Sequence, residues 1–117
     1  MHKSQLAGFI IDCQTDALDQ AAKFWSQALG YPIKHSTAPE EANYRSLMTH
    51  PNEPYIELQK VDHPGRVHLD IETDNIEAEV QRLEELGATR VKQMPSWWVM
   101  EAPTGHRFCV VQMKKDL

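Results

Sequence analysis

The pattern of apolar and polar positions is clearest in Val67–Ala88, which predicts a strand followed by a helix. In the strand the two kinds of residue alternate, as expected when one face is buried: Leu69 and Ile71 against His68, Asp70 and Glu72. In the helix the apolar residues recur at helical spacing: Ile76, Val80, Leu83 and Leu86. Asp74 is predicted to cap the start of this helix, with Glu77 completing a capping box, and Gly87 to end it.

The same order of elements occurs earlier, in Phe9–Gly30. An apolar strand leads through a Thr-Asp turn, where Thr15 or Asp16 is predicted as the cap, into a second helix that closes at Gly30. That helix is built on four apolar or small residues: Leu18, Ala22, Trp25 and Leu29. The repetition predicts one supersecondary unit used twice, preceded by a frayed start at residues 1–5.

Three further strands are predicted after each helix. They cover residues 31–35, 44–49 and 55–61 in the first half and 89–94, 97–101 and 107–113 in the second. The predicted fold class is α+β, with two tandem βαβββ modules forming a curved mixed sheet, helices on its outer face and a groove inside. Residues 1–117 are expected to be one domain made of module 1–63 and module 64–117, with the break at Asp62–Gly65.

Composition and charge narrow the possible partners. The 117 residues are 41% hydrophobic and 25% charged, which is typical of a soluble globular domain. A net charge of -5 without a basic run argues against nucleic acid or a membrane surface as a partner. Two cysteines cannot build a disulfide framework, and no segment resembles a signal peptide or could span a bilayer, so we expect a cytoplasmic protein.

Strand alternation also predicts where chemistry lies. It places four side chains on the inner face of the sheet: Glu57, His68, Asp70 and Cys109. Polar groups there cost free energy unless they are hydrated, paired or bound to a ligand. Carboxylate, imidazole and thiol groups are a plausible donor set for a divalent metal such as Zn, Fe, Ni or Mn.

Four segments carry a resemblance to a known family: FWSQALGYPI, YIEL, VHLDIETDNIEAEVQRLEELGA and WWVMEAPTGHRFCVVQ. The chain resembles the vicinal oxygen chelate superfamily, which contains glyoxalase I, extradiol dioxygenases, bleomycin-resistance proteins and methylmalonyl-CoA epimerase. More narrowly, it resembles the small bacterial glyoxalase-like domain proteins. The resemblance implies the fold predicted above, a small-molecule ligand or substrate and a homodimer.

The resemblance also implies metal ligands, but only in part. Glu57 falls on the last-strand ligand position of the first module, and His68 on the first-strand position of the second. The first-strand position of the first module falls near Gly8 or Ile10, which cannot bind metal. Cys109 occupies the last position, usually a glutamate, and would favour softer metals. The implied metal ligands are therefore Glu57, His68 and Cys109, and metal binding stays open.

Each of these residues has a simpler interpretation. Glu57 could pair with a basic neighbour, His68 could be a hydrogen-bonded histidine of the inner face, and Cys109 could be a small buried apolar residue. Cys13 has the parity of the helix-packed face and is assigned to the core. The neighbouring Asp12 could contact a ligand or cap a turn with Thr15.

Two functions from different classes follow. The first is a metal-dependent lyase, isomerase or dioxygenase in which Glu57 and Asp70 are catalytic. The second is a metal-free protein that binds or sequesters a small molecule, as bleomycin-resistance proteins do.

Trp97 and Trp98 are adjacent on a predicted strand, so one of them must point to each face of the sheet. The candidate substrate-binding residues are Asp12, Tyr55, Trp97, Trp98 and Arg107.

Overall fold

The computed structural model describes residues 1–114 and confirms the predicted α+β class, with a βαβββ order in each half. The elements of the first half are β1 (Ser4–Cys13), α1 (Leu18–Leu29), β2 (Ile33–Lys34), β3 (Tyr44–Leu47) and β4 (Tyr55–Lys60). Those of the second half are β5 (Arg66–Thr73), α2 (Ile76–Glu85), β6 (Thr89–Gln93), β7 (Trp97–Glu101) and β8 (Arg107–Gln112). Within the described residues, neither helix is long and apolar enough to cross a membrane.

The chain divides into two compact units. The first unit is Gly8–Val67, and the second unit combines Met1–Ala7 with the chain from His68 onward. Strands β1 and β5 therefore contribute residues to both units.

The first unit packs α1 on one face of four strands in the order β2-β3-β4-β1. Strands β1 and β4 are parallel, whereas β3 is antiparallel to β4 and β2 to β3. The buried core beneath the helix consists of Leu18, Ala22, Leu47 and Leu58. Gly30 ends α1 in the left-handed conformation, with φ 76°, as the sequence predicts.

The second unit has the same arrangement, with strand order β5-β8-β7-β6 and α2 on one face. Again the first and last strands, β5 and β8, are parallel and the other pairs antiparallel. The buried core consists of Val80, Leu83, Ala88, Met100, Phe108 and Val110. Because strand side chains alternate, every second residue of β5, β7 and β8 points to the side opposite α2, which we call the helix-free face.

The predicted helix starts were wrong. Asn75, not Asp74, caps α2, because its side-chain oxygen accepts a hydrogen bond of 3.1 Å from the Ala78 N–H. Asp74 instead accepts a hydrogen bond of 2.8 Å from the N–H of Lys3. Helix α1 follows Ala17 and has no side-chain cap; the Thr15 hydroxyl accepts from the Ala17 N–H. The last apolar residue of each predicted helical stripe, Leu29 or Leu86, is exposed.

The N-terminus is held rather than frayed. Strand β1 begins at Ser4, and His2 Nε2 lies 2.8 Å from a carboxylate oxygen of Glu79 on α2. Glu79 is fully buried and also accepts two hydrogen bonds of 2.7 Å from Arg82. A glutamate within an acidic helix gives no sign of burial in the sequence, so this network was not predicted.

Removal of the α2 cap tests the corrected helix start. We expect Asn75→Ala to lower the free energy of unfolding by about 1 kcal/mol, because the Ala78 N–H loses its acceptor. Asn75→Asp keeps an acceptor oxygen and should stay close to the parent protein. Chemical denaturation at neutral pH measures both, and equal loss in the two variants would contradict the cap.

The buried Glu79 predicts an acid dependence of stability. Hydrogen bonds from Arg82 in particular lower the pKa of Glu79 from 4.5 to about 2. The carboxylate therefore stabilises the folded state above pH ~4.5, and this contribution is lost as the pH falls from there towards 2. We expect Glu79→Gln to be less stable than the parent at neutral pH, and to lose less further stability on acidification. Urea unfolding across this pH range measures both, with Glu85→Gln, an exposed site on α2, as control.

Candidate functional site

Strand register determines which residues are neighbours on the helix-free face of the second unit. Asp70 on β5 lies opposite Cys109 on β8, and Cys109 lies opposite Val99 on β7. The residues that directly follow them, Ile71 and Val110, pack on the α2 side. The predicted inner-face parity of Asp70 and Cys109 is therefore confirmed within this unit.

His68 joins Asp70 and Cys109 in one cluster, which we call the donor cluster. One ligand atom from each of the three side chains lies within 4.8 Å of the other two. His68 Nε2 is 3.8 Å from Asp70 Oδ1, and these side chains are only 11% and 9% exposed. A nitrogen, an oxygen and a sulfur donor thus converge in a largely buried place, and the parallel pairing of β5 and β8 brings them there.

Different side chains flank the donor cluster at its two ends along β7 and β8. On one side, Arg107 lies opposite Glu101 and donates a hydrogen bond of 3.0 Å to it through Nε. On the other side, Val111 lies opposite Trp97. The ion pair of Arg107 and Glu101 therefore flanks the cluster at one end, and Trp97 and Val111, beside Glu72 of β5, flank it at the other.

The two adjacent tryptophans point to opposite faces, as predicted. Trp98 packs against the core beneath α2, and the Arg90 guanidinium lies 5.0 Å from its ring centroid. Trp97 lies on the helix-free face, because it pairs with Val111 while Trp98 pairs with the buried Val110. Of the two, Trp97 is the one placed beside the donor cluster.

In the first unit, Glu57 lies on the face opposite α1. It is opposite Ile10 on β1 and Ser46 on β3, and the Ser46 hydroxyl donates a hydrogen bond of 3.3 Å to its carboxylate. Arg45, a basic residue on the neighbouring strand β3, donates a hydrogen bond of 2.7 Å to Asp19. The role of Glu57 as metal ligand and catalytic residue stays a prediction.

Asp12 lies on the same face of the first unit and is buried. Its carboxylate is 3.5 Å from Arg66 Nε. The neighbouring Cys13 packs against the core beneath α1, as predicted. Burial, and secondarily the charge of Asp12, raise the pKa of the Cys13 thiol, which disfavours its thiolate form.

Tyr55 crowds Gly8, the position in the first unit that corresponds to the first-strand metal ligand of metal-using relatives. The Tyr55 ring lies directly against Gly8, and a Cβ atom at Gly8 would overlap both that ring and the Tyr55 carbonyl oxygen. The next residue on this face, Ile10, is buried and carries no donor atom. Neither Gly8 nor Ile10 carries a side-chain donor atom, and the Tyr55 ring occupies the space beside Gly8.

The structure also contains a polar cavity that the sequence did not indicate. It lies in the first unit, has a volume of about 780 Å³ and is wide open to solvent. Several of its polar groups pair with each other, such as Lys60 with Asp16 at 3.5 Å. The lining residues are Gln14, Thr15, Asp16, Asn43, Gln59, Lys60, Val61, Asp62 and His63. Loop residues of this kind give no sequence signal that they converge.

Comparison with known proteins identifies the family. The model of the glyoxalase-like domain family matches residues 8–111, which is most of the chain. The chain belongs to the glyoxalase-like domain family. This confirms the resemblance to the vicinal oxygen chelate superfamily. No curated protein matches this glyoxalase-like protein in sequence.

Solved structures support the same fold. A hypothetical protein from Bacillus halodurans is similar over 98% of both chains, with 14% identity and a TM-score of 0.66. Methylmalonyl-CoA epimerase from Mycobacterium tuberculosis is similar over 94% of this chain and 88% of its own, with 16% identity and a TM-score of 0.62. The Streptomyces coelicolor epimerase in complex with 2-nitronate-propionyl-CoA is similar over 95% and 98%, with 16% identity and a TM-score of 0.64. At these identities the likeness shows the fold alone.

The contact between Gly8 and Tyr55 can be tested directly. We expect Gly8→Ala to lower the free energy of unfolding of this glyoxalase-like protein by about 1–3 kcal/mol, because the new methyl group overlaps the ring. Adding Tyr55→Ala should recover only part of that loss, since the Tyr55 carbonyl stays in place. A double-mutant cycle by urea unfolding measures this, and strictly additive effects would contradict the contact.

Proposed function

We propose that this protein binds a small molecule at a divalent cation held by His68, Asp70 and Cys109. The observation that carries the proposal is the convergence of the three donor atoms within 4.8 Å on the helix-free face of the second unit. Membership of the glyoxalase-like domain family supports it, because the vicinal oxygen chelate superfamily includes metal-using members.

The donor cluster can hold a cation if its three side chains move slightly closer together. Donors around four-coordinate zinc stand roughly 3.3–3.8 Å apart, given bonds of about 2.0 Å to nitrogen and 2.3 Å to sulfur. The separations of up to 4.8 Å here therefore need side-chain movements on the order of 1 Å. Three protein donors also leave a coordination position for a ligand, as in catalytic rather than structural zinc sites.

The donor types restrict the cation. Thiolate and imidazole favour zinc, iron or nickel over calcium or magnesium, and manganese suits this set less well. A bound cation would supply Lewis-acid polarisation of a substrate oxygen. His68 and Cys109 take the ligand roles that the sequence predicted, whereas Asp70, predicted as catalytic, supplies the third donor. The carboxylate predicted in that set, Glu57, lies in the first unit.

The reaction class is proposed by analogy. Two of the similar structures are methylmalonyl-CoA epimerases, which makes isomerisation the first reaction to assay, ahead of lyase or dioxygenase chemistry. A shared fold does not fix the reaction, since one scaffold supports many activities. We propose that Arg107 and Trp97, on either side of the donor cluster, contact the substrate.

A metal-free binding protein is the second candidate. The observation in its favour is the contact between Gly8 and Tyr55, which removes one of the positions that carry ligands in metal-using members. In that case the polar face would hold an organic ligand directly by hydrogen bonds, beside the apolar surface of Trp97.

Metal analysis separates the two candidates. We expect protein purified without chelator, or titrated with Co²⁺ or Zn²⁺, to bind about one equivalent of metal. His68→Ala, Asp70→Asn and Cys109→Ala should each weaken binding roughly tenfold or more, because each removes a donor. Elemental analysis and the cobalt absorption spectrum, which reports a thiolate ligand, measure the result.

Cys13→Ala is the matched control, because it removes the other cysteine from the core beneath α1 and should leave the metal content unchanged. If the parent protein takes up no metal under any of these conditions, the metal proposal fails and the metal-free binder is favoured.

A further inference from the structure

We infer that the ligand of the donor cluster is a small carboxylate-bearing molecule, and that Arg107 binds its carboxylate. The inference rests on the proposed function and adds the chemical class of the ligand. It is carried by the position of Arg107 on β8, by the contact that orients its guanidinium, and by the polarity of the helix-free face around the cluster.

Strand register places Arg107 next to the donor cluster. Arg107 and Cys109 are two residues apart on β8, so their side chains emerge from the same face roughly 6.6 Å apart. Leu69 pairs with Phe108, and the residues just before them, His68 and Arg107, therefore neighbour each other on that face. A ligand atom bound at the cluster would stand within reach of the guanidinium.

The guanidinium is oriented by Glu101. Arg107 donates from Nε to Glu101, at 3.0 Å, and the two side chains are 36% and 40% exposed. Within residues 1–114, its two terminal amino groups make no hydrogen bond to protein. These groups form the edge that matches the two oxygens of a carboxylate, and an arginine already held in place loses less conformational entropy when it binds one.

The opposite end of the face selects against a second anionic group. Val99 lies opposite Cys109, and beyond Cys109 the same face carries Val111 and Trp97 beside the Glu72 carboxylate, because Glu72 of β5 pairs with Val111. The matching ligand has a carboxylate at one end, an oxygen donor a few bonds away that meets the donor cluster, and an apolar remainder. Small hydroxy or oxo acids and the acyl parts of larger molecules have this pattern.

The simpler interpretation is a surface ion pair across two strands. Such pairs contribute little to stability and require no ligand. This pair, however, lies on the face of the donor cluster rather than on the helix side. The two interpretations differ in one outcome, which is whether loss of the guanidinium weakens the binding of a carboxylate.

Malonate is the probe, because one of its carboxylates can meet Arg107 while the other supplies oxygen at the cluster. We expect Zn²⁺-loaded protein to bind malonate and not the uncharged malonamide. Arg107→Ala should weaken malonate binding at least tenfold. Arg107→Lys should recover little, because it keeps the charge but loses the paired donors. Calorimetry and chemical-shift changes of the Trp97 indole measure binding.

Arg90→Ala is the control, because Arg90 lies over Trp98 on the helix side and its loss should leave malonate binding unchanged. If Zn²⁺ binds but malonate does not, or if Arg107→Ala binds malonate like the parent, the inference fails while the proposed function stands. If neither Zn²⁺ nor malonate binds, both fail. Malonate binding to metal-free protein that depends on Arg107 would support the inference and count against the metal.

Discussion

One-sided cover by a helix is the constraint on which the second unit depends. Helix α2 buries alternate residues of β5 and β8, such as Ile71 and Val110, and thereby directs Asp70 and Cys109 to the other face. A shift of either strand by one residue would expose the core residues and bury the donors against α2. The packing that stabilises the unit therefore also fixes the donor cluster.

Burial of that cluster has an energetic consequence. A carboxylate as buried as Asp70 is costly unless charge or hydrogen bonds compensate it, and His68 Nε2 lies 3.8 Å from its Oδ1. Stability alone would be served as well by apolar residues at these positions. The cation proposed at His68, Asp70 and Cys109 would add a compensating charge beside the buried carboxylate.

Much of this was predictable from the sequence, and the limits have physical causes. Strand alternation follows from local periodicity, so the faces of Asp70, Cys109 and the two tryptophans are set once the strands are known. The meeting of Asp70 with Cys109 depends on the pairing of two strands whose partner residues, such as Leu69 and Phe108, are 39 positions apart in sequence, and no local pattern reveals that pairing. The hydrogen bond that holds Asp74 and the contact that surrounds Glu79 likewise come from N-terminal residues far away in sequence, Lys3 and His2.

Comparison of the two units shows how a duplicated architecture has diverged. Their matching registers make Gly8, Ile10 and Glu57 the counterparts of His68, Asp70 and Cys109. The first unit thus keeps one donor of three, and Tyr55, the counterpart of Arg107, lies across the glycine. The second unit carries all three donors and an arginine in place of that tyrosine. The two units therefore share one order of strands and one pairing pattern but differ in the donor atoms on the face opposite the helix, which is where the proposed cation site lies.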